Sequence, residues 1–181
     1  MSEAKVLIGV PSGSTWQADF GMCLMQMVGF LTNPVDGYDK LFCGIDNPKG
    51  SILSRSRQLI VKRALEMEAT HILFIDSDMV FPPDTLHRLL EHKERVVACN
   101  CMTKQIPANP TARLKSDSVA GTPLYLGKDS VGLHPVWRVG TGVMLVDMSV
   151  FAEITAPYWP ILWKEETGDY QGERSVVVWH G

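Results

Sequence analysis

An α/β fold, with a mostly parallel sheet flanked by helices, is what this sequence predicts, and three observations carry the prediction. Short apolar runs alternate along the chain with segments of helical spacing, which is the pattern of βαβ units. Residues 72–75, Ile-Leu-Phe-Ile, form a greasy run that reads as a buried central strand. The chain has 181 residues, enough for one domain with a sizeable core.

Each element has its own local reason. Residues 5–10 are a short apolar run that ends at Pro11-Ser12-Gly13-Ser14, a strand and then a turn. Residues 16–30 contain no proline and place Phe20, Leu24, Met27 and Val28 near helical spacing; Met22, Met25 and Met27 read as core filler. Turn chemistry at Asn33-Pro34-Val35-Asp36-Gly37 precedes a strand over 38–45, which stops at Asp46-Asn47-Pro48-Lys49-Gly50. A helix over 51–67 puts Ile52, Leu59, Ile60 and Ala64 on one apolar face, with Arg55, Arg57, Lys62 and Arg63 on the others. The central strand is 71–75.

Pro82-Pro83-Asp84-Thr85-Leu86 opens a helix over 85–93, with Leu86, Leu89 and Leu90 on one side and Asp84 complementing the helix dipole. A strand over 95–102 puts Cys99 and Cys101 on one face. Residues 103–135 are rich in Pro, Gly, Ser and Thr and read as a long excursion, the kind of loop that is functional or mobile. A strand over 137–147 follows, interrupted by Gly140-Thr141-Gly142. Ser149 then caps a short helix through Ile154. The tail from Ala156 is dense in aromatic residues: Tyr158, Trp159, Trp163, Tyr170 and Trp179.

Composition removes some functions. A net charge of -3 gives no broad basic field, which argues against a dedicated nucleic-acid binder. No apolar run approaches the roughly 18 residues of a membrane span. The start, Met1-Ser2-Glu3-Ala4-Lys5, carries no signal-peptide pattern, so the expected location is cytoplasmic. Cys23, Cys43, Cys99 and Cys101 form no Cys-x-x-Cys pair, which argues against zinc and for reduced structural thiols.

The chemistry concentrates at Asp76-Ser77-Asp78, directly after the central strand. If the chain stays extended, Asp76 and Asp78 point the same way. The carboxyl end of a buried strand is where open α/β sheets bind ligands. Carboxylate oxygens suit Mn2+ or Mg2+, which bind through one or two carboxylates plus substrate phosphates. The plainer reading is that both residues simply end a strand, since Asp favours turns.

Several segments together resemble the GT-A glycosyltransferases, closest to the small family-2-like proteins of phage and bacterial genomes. They are Leu7-Ile8-Gly9-Val10-Pro11-Ser12, then Ser54-Arg55-Ser56-Arg57-Gln58-Leu59 with Ala64-Leu65, then Ala69 to Met79 around Asp76-Ser77-Asp78. Val139-Gly140-Thr141-Gly142-Val143-Met144-Leu145-Val146 and Val150-Phe151 complete them. The resemblance covers roughly residues 5–155. It implies one GT-A (Rossmann-like) domain over 1–181, with a nucleotide-binding half at 1–102 and an acceptor-side half at 103–181. It implies a donor that is a nucleotide-diphosphate sugar, UDP- or GDP-linked, and a location in a bacterial or phage-infected cell. Asp76 would serve ribose and metal, and Asp78 would hold Mn2+ or Mg2+. Pro11, Ser12, Asp46, Arg57 and Ser77 would line the nucleotide pocket.

The family pattern continues with a Gly-Glu-Asp stretch, a helix and a last strand bearing a His. Tyr170-Gln171-Gly172-Glu173 fits the start, with Arg174 where an acidic residue is expected. Val176-Val177-Val178-Trp179-His180-Gly181 resembles the last strand, and only Arg174 and Ser175 stand where the helix belongs, so the acceptor-side half is expected to be shortened. Glu173 would be the general base, with Asp169 as its rival, and His180 a third metal ligand. Direct in-line attack would invert the anomeric centre. Trp137 and Tyr170 would face sugar, or else pin loops. Gly140, Thr141 and Gly142 would admit a ligand, or else mark a bulge. Two rival functions stand beside this one: a catalytically decayed nucleotide-sugar binding protein, and a nucleotidyltransferase. The second needs a Gly-rich basic loop after the first strand, whereas Pro11-Ser12-Gly13-Ser14-Thr15 has one Gly and no Lys or Arg.

Overall fold

The computed structural model describes residues 3–118, 121–127 and 129–159, and the backbone course of 162–164 and 169–171. Strands and helices alternate through its first half. They are β1 (Glu3–Gly9), α1 (Ala18–Phe30), β2 (Lys40–Asp46), α2 (Leu53–Glu66), β3 (His71–Ile75), α3 (Thr85–Glu91) and β4 (Val96–Ala98). A small ribbon follows, β5 (Arg113–Leu114) with β6 (Thr122–Pro123), and then β7 (Val143–Asp147) and α4 (Ser149–Glu153). A second ribbon pairs β8 (Leu162–Lys164) with β9 (Asp169–Gln171).

The main sheet has five strands in the order β2-β1-β3-β7-β4. The β1–β2 and β1–β3 ladders are parallel; the β3–β7 and β7–β4 ladders are antiparallel. The sheet is therefore mixed. β7 alone runs against the rest, and β1, β2, β3 and β4 all end at one edge. The parallel half arises because α1 and α2 are long enough to carry the chain back across the sheet. β7 enters beside β3 from the opposite edge.

Strand alternation builds two cores, one on each face. Val6, Ile8, Leu73, Ile75 and Leu145 pack with Phe20, Leu24 and Met27 of α1 and with Leu86, Leu89 and Leu90 of α3. Leu7, Ile72, Phe74, Met144 and Val146 pack with Ile60, Val61 and Ala64 of α2, and with Phe151 and Trp159. Every residue of β3 is buried, as the greasy run requires of a strand covered on both sides. The sheet is thus a middle layer between helices.

Several local expectations are corrected. Met22 and Met25 are 54% and 67% exposed, so of the methionine stripe only Met27 fills the core; α1 has more apolar residues than one core-facing stripe can take. Ile52, just before α2, and Leu59 on it are likewise exposed, and the buried stripe of α2 contains Arg57 instead. β4 stops at Ala98, so Cys99 and Cys101 lie past the strand end, and β7 begins only at Val143, leaving 137–142 outside the sheet. The excursion after residue 103 contains a ribbon of its own. Asp84 stands at the N-terminal end of α3, where a carboxylate complements the helix dipole, and it also accepts from Arg88 Nε at 2.6 Å. His71 and His87 are packed inside, His71 bonded to Thr70 Oγ1 at 2.8 Å and His87 to the Asn33 carbonyl at 3.0 Å.

Gly9 ends β1 under α2. A Cβ there would stand 2.5 Å from Cγ2 and 2.9 Å from Cδ1 of Ile60, a fully buried β-branched side chain with little room to turn. Gly9→Ala should therefore destabilise the fold by roughly 1–3 kcal/mol through overpacking. Urea denaturation is the check, and a stability unchanged from wild type would refute this account of the β1–α2 contact.

Candidate functional site

The four co-directional strands end at one edge, and the chain connections diverge there. The chain leaves β1 by α1 for β2 on one side, and leaves β3 by α3 for β4 on the other. The crevice beyond the ends of β1 and β3 is therefore a topological switch point, the place where open α/β sheets bind ligands. Backbone bonds stitch its rim. Gln17 N donates to the Ser77 carbonyl at 3.2 Å, joining the loop after β1 to the turn after β3. Asp76 N donates to the Gly142 carbonyl at 2.9 Å, joining that turn to the entry of β7.

Extension ends at Ile75. Met79 N donates to the Asp76 carbonyl at 3.1 Å, so Asp76-Ser77-Asp78 is a turn and not the continued strand that the same-face argument assumed. The two carboxylates still share a neighbourhood. Both lie close enough to Cys101 to act on its thiol. Burial first, then Cys99, Asp76 and Asp78, push its pKa up to about 11, against an opposing hydrogen bond with the Val143 backbone. Gly142 makes this crowding possible: a Cβ there would sit 3.2 Å from Cys101 Sγ and 3.3 Å from Met79 Sδ.

Each carboxylate meets a different cation. Arg57 Nη2 donates to Asp76 Oδ1 at 3.0 Å, with the arginine side chain 4% exposed and the aspartate 31%. Expected on a solvated face of α2, Arg57 instead sits on the buried stripe, one turn before Ile60. It is tolerated there because the end of β3 offers it a carboxylate. Lys104 Nζ donates to Asp78 Oδ2, and this second pair is open to water, at 67% and 39% exposure. An exposed pair of this kind contributes at most about 1 kcal/mol.

The loop after β1 is pinned from β2. Asn47 Nδ2 donates to the Val10 carbonyl at 2.5 Å and to Ser12 Oγ at 2.7 Å, and Trp16 Nε1 donates to the same hydroxyl at 3.3 Å. Ser12 is buried beneath these contacts, with Pro11 beside it. Asp46 closes β2, its carbonyl accepting from Val10 N at 2.9 Å. The structure thus gathers Pro11, Ser12, Asp46, Arg57, Asp76, Ser77, Asp78, Thr141 and Gly142 around one edge of the sheet.

Other expected site residues lie elsewhere. Gly140 packs on Thr111, where a Cβ would approach within 2.8 Å of its Cβ, so the close approach there is to protein. Trp137 stands beside the edge strand β4, lining a cavity of about 370 Å³ with Val97, Asn100, Leu124 and Leu133; no residue of 76–79 belongs to that lining. Tyr170 and Asp169 are in β9, paired across the ribbon with Trp163 and Lys164. Glu173 and His180 fall outside the described residues.

Sequence reading missed Asn47, Lys104 and Cys101. Asn47 lies in a turn signal beside Asp46, and Lys104 is the sole cation between residues 96 and 112, but neither position marks its partner. Oxygen donors at Asp76 and Asp78 fit Mn2+ or Mg2+. No group of three or more His, Cys, Asp or Glu able to hold a metal occurs among the described residues; substrate phosphate and water are common further ligands of such ions. No helix among the described residues is long and apolar enough to cross a membrane.

No family model matches the chain, and no curated protein matches it. Among solved structures the chain is similar to A197 from STIV, with a TM-score of 0.56 and 15% identity over 86% of this chain and 71% of that one. It is also similar to a glycosyltransferase involved in the glycosylation of the major capsid of PBCV-1, with a TM-score of 0.37 and 14% identity over 82% of this chain and 62% of that one. The first likeness speaks to the fold alone. The second is too slight to add to the argument.

Arg57→Met should cost roughly 1–3 kcal/mol, below the usual cost of breaking a buried pair because Asp76 is partly wet. Denaturation of this variant beside Lys104→Met, expected within about 1 kcal/mol of wild type, checks the contrast between the two pairs. Cys101, its pKa raised to about 11, stays a protonated thiol at pH 8. Mass-spectrometric mapping should show it alkylated by iodoacetamide at least about tenfold more slowly in the folded protein than in urea.

Proposed function

We propose that this protein is a metal-dependent glycosyltransferase of GT-A type, moving a sugar from a nucleotide-diphosphate donor to an acceptor hydroxyl. One observation carries the reading: Asp76 and Asp78 share the turn after the central strand β3, at the switch point of the sheet. The sequence resemblance over roughly residues 5–155 supports it. Residues 1–102 form the donor half in this reading, and residues 103–181 the acceptor half.

The chain's own groups divide the work. Asp78, with Asp76, would hold Mn2+ or Mg2+, which neutralises the charge developing on the leaving diphosphate. Arg57 fixes the direction of Asp76 from below. The 10–17 loop, clamped by Asn47 on Ser12, supplies a preformed wall for the nucleoside, with Asp46 and Ser77 on either side. A rigid wall costs less ordering on binding than a mobile one. Thr141 and Gly142 border the sugar side, and Trp137 and Tyr170 belong to the acceptor half.

In the transfer, the acceptor oxygen forms a bond to the anomeric carbon as the carbon–oxygen bond to the diphosphate breaks. The electron pair leaves with the phosphate, and the hydroxyl proton passes to a base. Glu173 is assigned that base and His180 a further metal contact, both on the resemblance. Direct attack inverts the anomeric centre, and a product retaining the donor's configuration by NMR would rule this mechanism out.

Calorimetric titration of UDP and GDP, with and without Mn2+, is the decisive measurement. One nucleotide should bind only with metal, and Asp78→Ala should weaken that binding at least about tenfold, the loss of one charged ligand. A folded wild type that binds neither nucleotide sinks the reading. Binding without donor hydrolysis would identify a decayed transferase that keeps the site.

A further inference from the structure

Lys104 is the exposed cation at the carboxylate pair. Lys104 and Asp78 are 26 residues apart in sequence and meet because the chain doubles back after β4. Met102 bridges Pro110, Thr103 N donates to the Asn109 carbonyl at 2.8 Å, and Asn109 N donates to Thr103 Oγ1 at 3.0 Å. Tyr125 braces the far arm, its hydroxyl donating to Asn109 Oδ1 at 2.9 Å. This hairpin fixes where the lysine backbone stands. The ammonium is held less firmly, on a flexible stem that is 67% exposed.

Charge balance gives this placement a consequence. Asp76 and Asp78 carry two negative charges, and Arg57 and Lys104 carry two positive ones. A divalent cation approaching Asp78 therefore meets an ammonium already on Oδ2. Arg57 is the costlier one to move, because its pair with Asp76 is formed by a guanidinium only 4% exposed. Lys104 is the cheaper, because water receives it. Asp78 and the two charges of a nucleotide-diphosphate sugar together exceed what one divalent cation neutralises, so a displaced ammonium on the same rim has a new partner at hand.

We propose that Lys104 is a placeholder cation on Asp78 in the unliganded protein and a diphosphate ligand in the loaded one. The proposal rests on the donor-site reading above. It assigns the 102–110 hairpin the task of keeping one mobile positive charge within reach of both positions.

The test uses wild type, Lys104→Ala and Lys104→Arg in two titrations. The first is Mn2+ alone, followed by the paramagnetic signal of unbound ion; the second is UDP or GDP at saturating Mn2+. Lys104→Ala should bind Mn2+ roughly two- to fivefold more tightly, since an exposed competitor is gone. It should bind the nucleotide about tenfold more weakly, having lost a charged phosphate contact, and Lys104→Arg should restore most of that affinity. The opposite signs are the signature. Losses in both titrations would mean a merely structural lysine and overturn the proposal, as would no change in either, or tighter Mn2+ with unchanged nucleotide binding. A wild type that binds neither Mn2+ nor nucleotide fails the donor-site reading itself, which separates the two failures.

Discussion

The ion pair between Arg57 and Asp76 is the constraint on which the rest of the site depends. A guanidinium on the sheet-facing stripe of a helix is tolerable only if a carboxylate meets it there. That requirement ties α2 to the end of β3 at a polar point, above the apolar contacts that Ile60, Val61 and Ala64 make with the sheet. Apolar packing alone tolerates small slips along the helix axis; a buried charge pair does not. Once Asp76 is held by its side chain below and its amide to Gly142 beside it, the turn through Asp78 has little freedom left. The rim contacts from Gln17 and Cys101 then assemble around a fixed point.

What the sequence made legible follows from how local each signal is. β3 was read at its observed bounds because a continuous apolar run ended by Asp is decided within five residues. The inward face of α3 was read for the same reason: Leu86, Leu89 and Leu90 are the only apolar choice there. Arg57 was not legible as buried, because its partner is 19 residues away, and periodicity places an arginine outside by default. The α1 methionines failed in the other direction. A helix apolar on most sides does not say which side the sheet will take, and Phe20, Leu24 and Met27 won it over Met22 and Met25.

The candidate site was legible in composition but not in geometry. Strand alternation would align Asp76 and Asp78, yet the chain turns at Asp76. Their common neighbourhood comes from Gly142, which lets Cys101 and Met79 close in beside the turn. Asn47 and Lys104 were invisible for a related reason. Each acts through a side chain on a partner tens of residues away, and one-dimensional spacing holds no record of that distance.

The two ion pairs use the same chemistry to opposite ends, and burial decides which end. Adjacent carboxylates without cations would repel each other, and each would gain by taking up a proton. Here each is met by a separate cation, one buried and one exposed. The buried pair is expensive to break and therefore positions. The wet pair is cheap to exchange and therefore admits. A site that must be preformed yet open to a charged ligand needs one of each. Had both pairs been buried, the carboxylates would be locked away; had both been exposed, nothing would hold the turn against the sheet. Placing Arg57 on α2 and Lys104 on a hairpin beyond β4 separates these duties between a rigid element and a flexible stem.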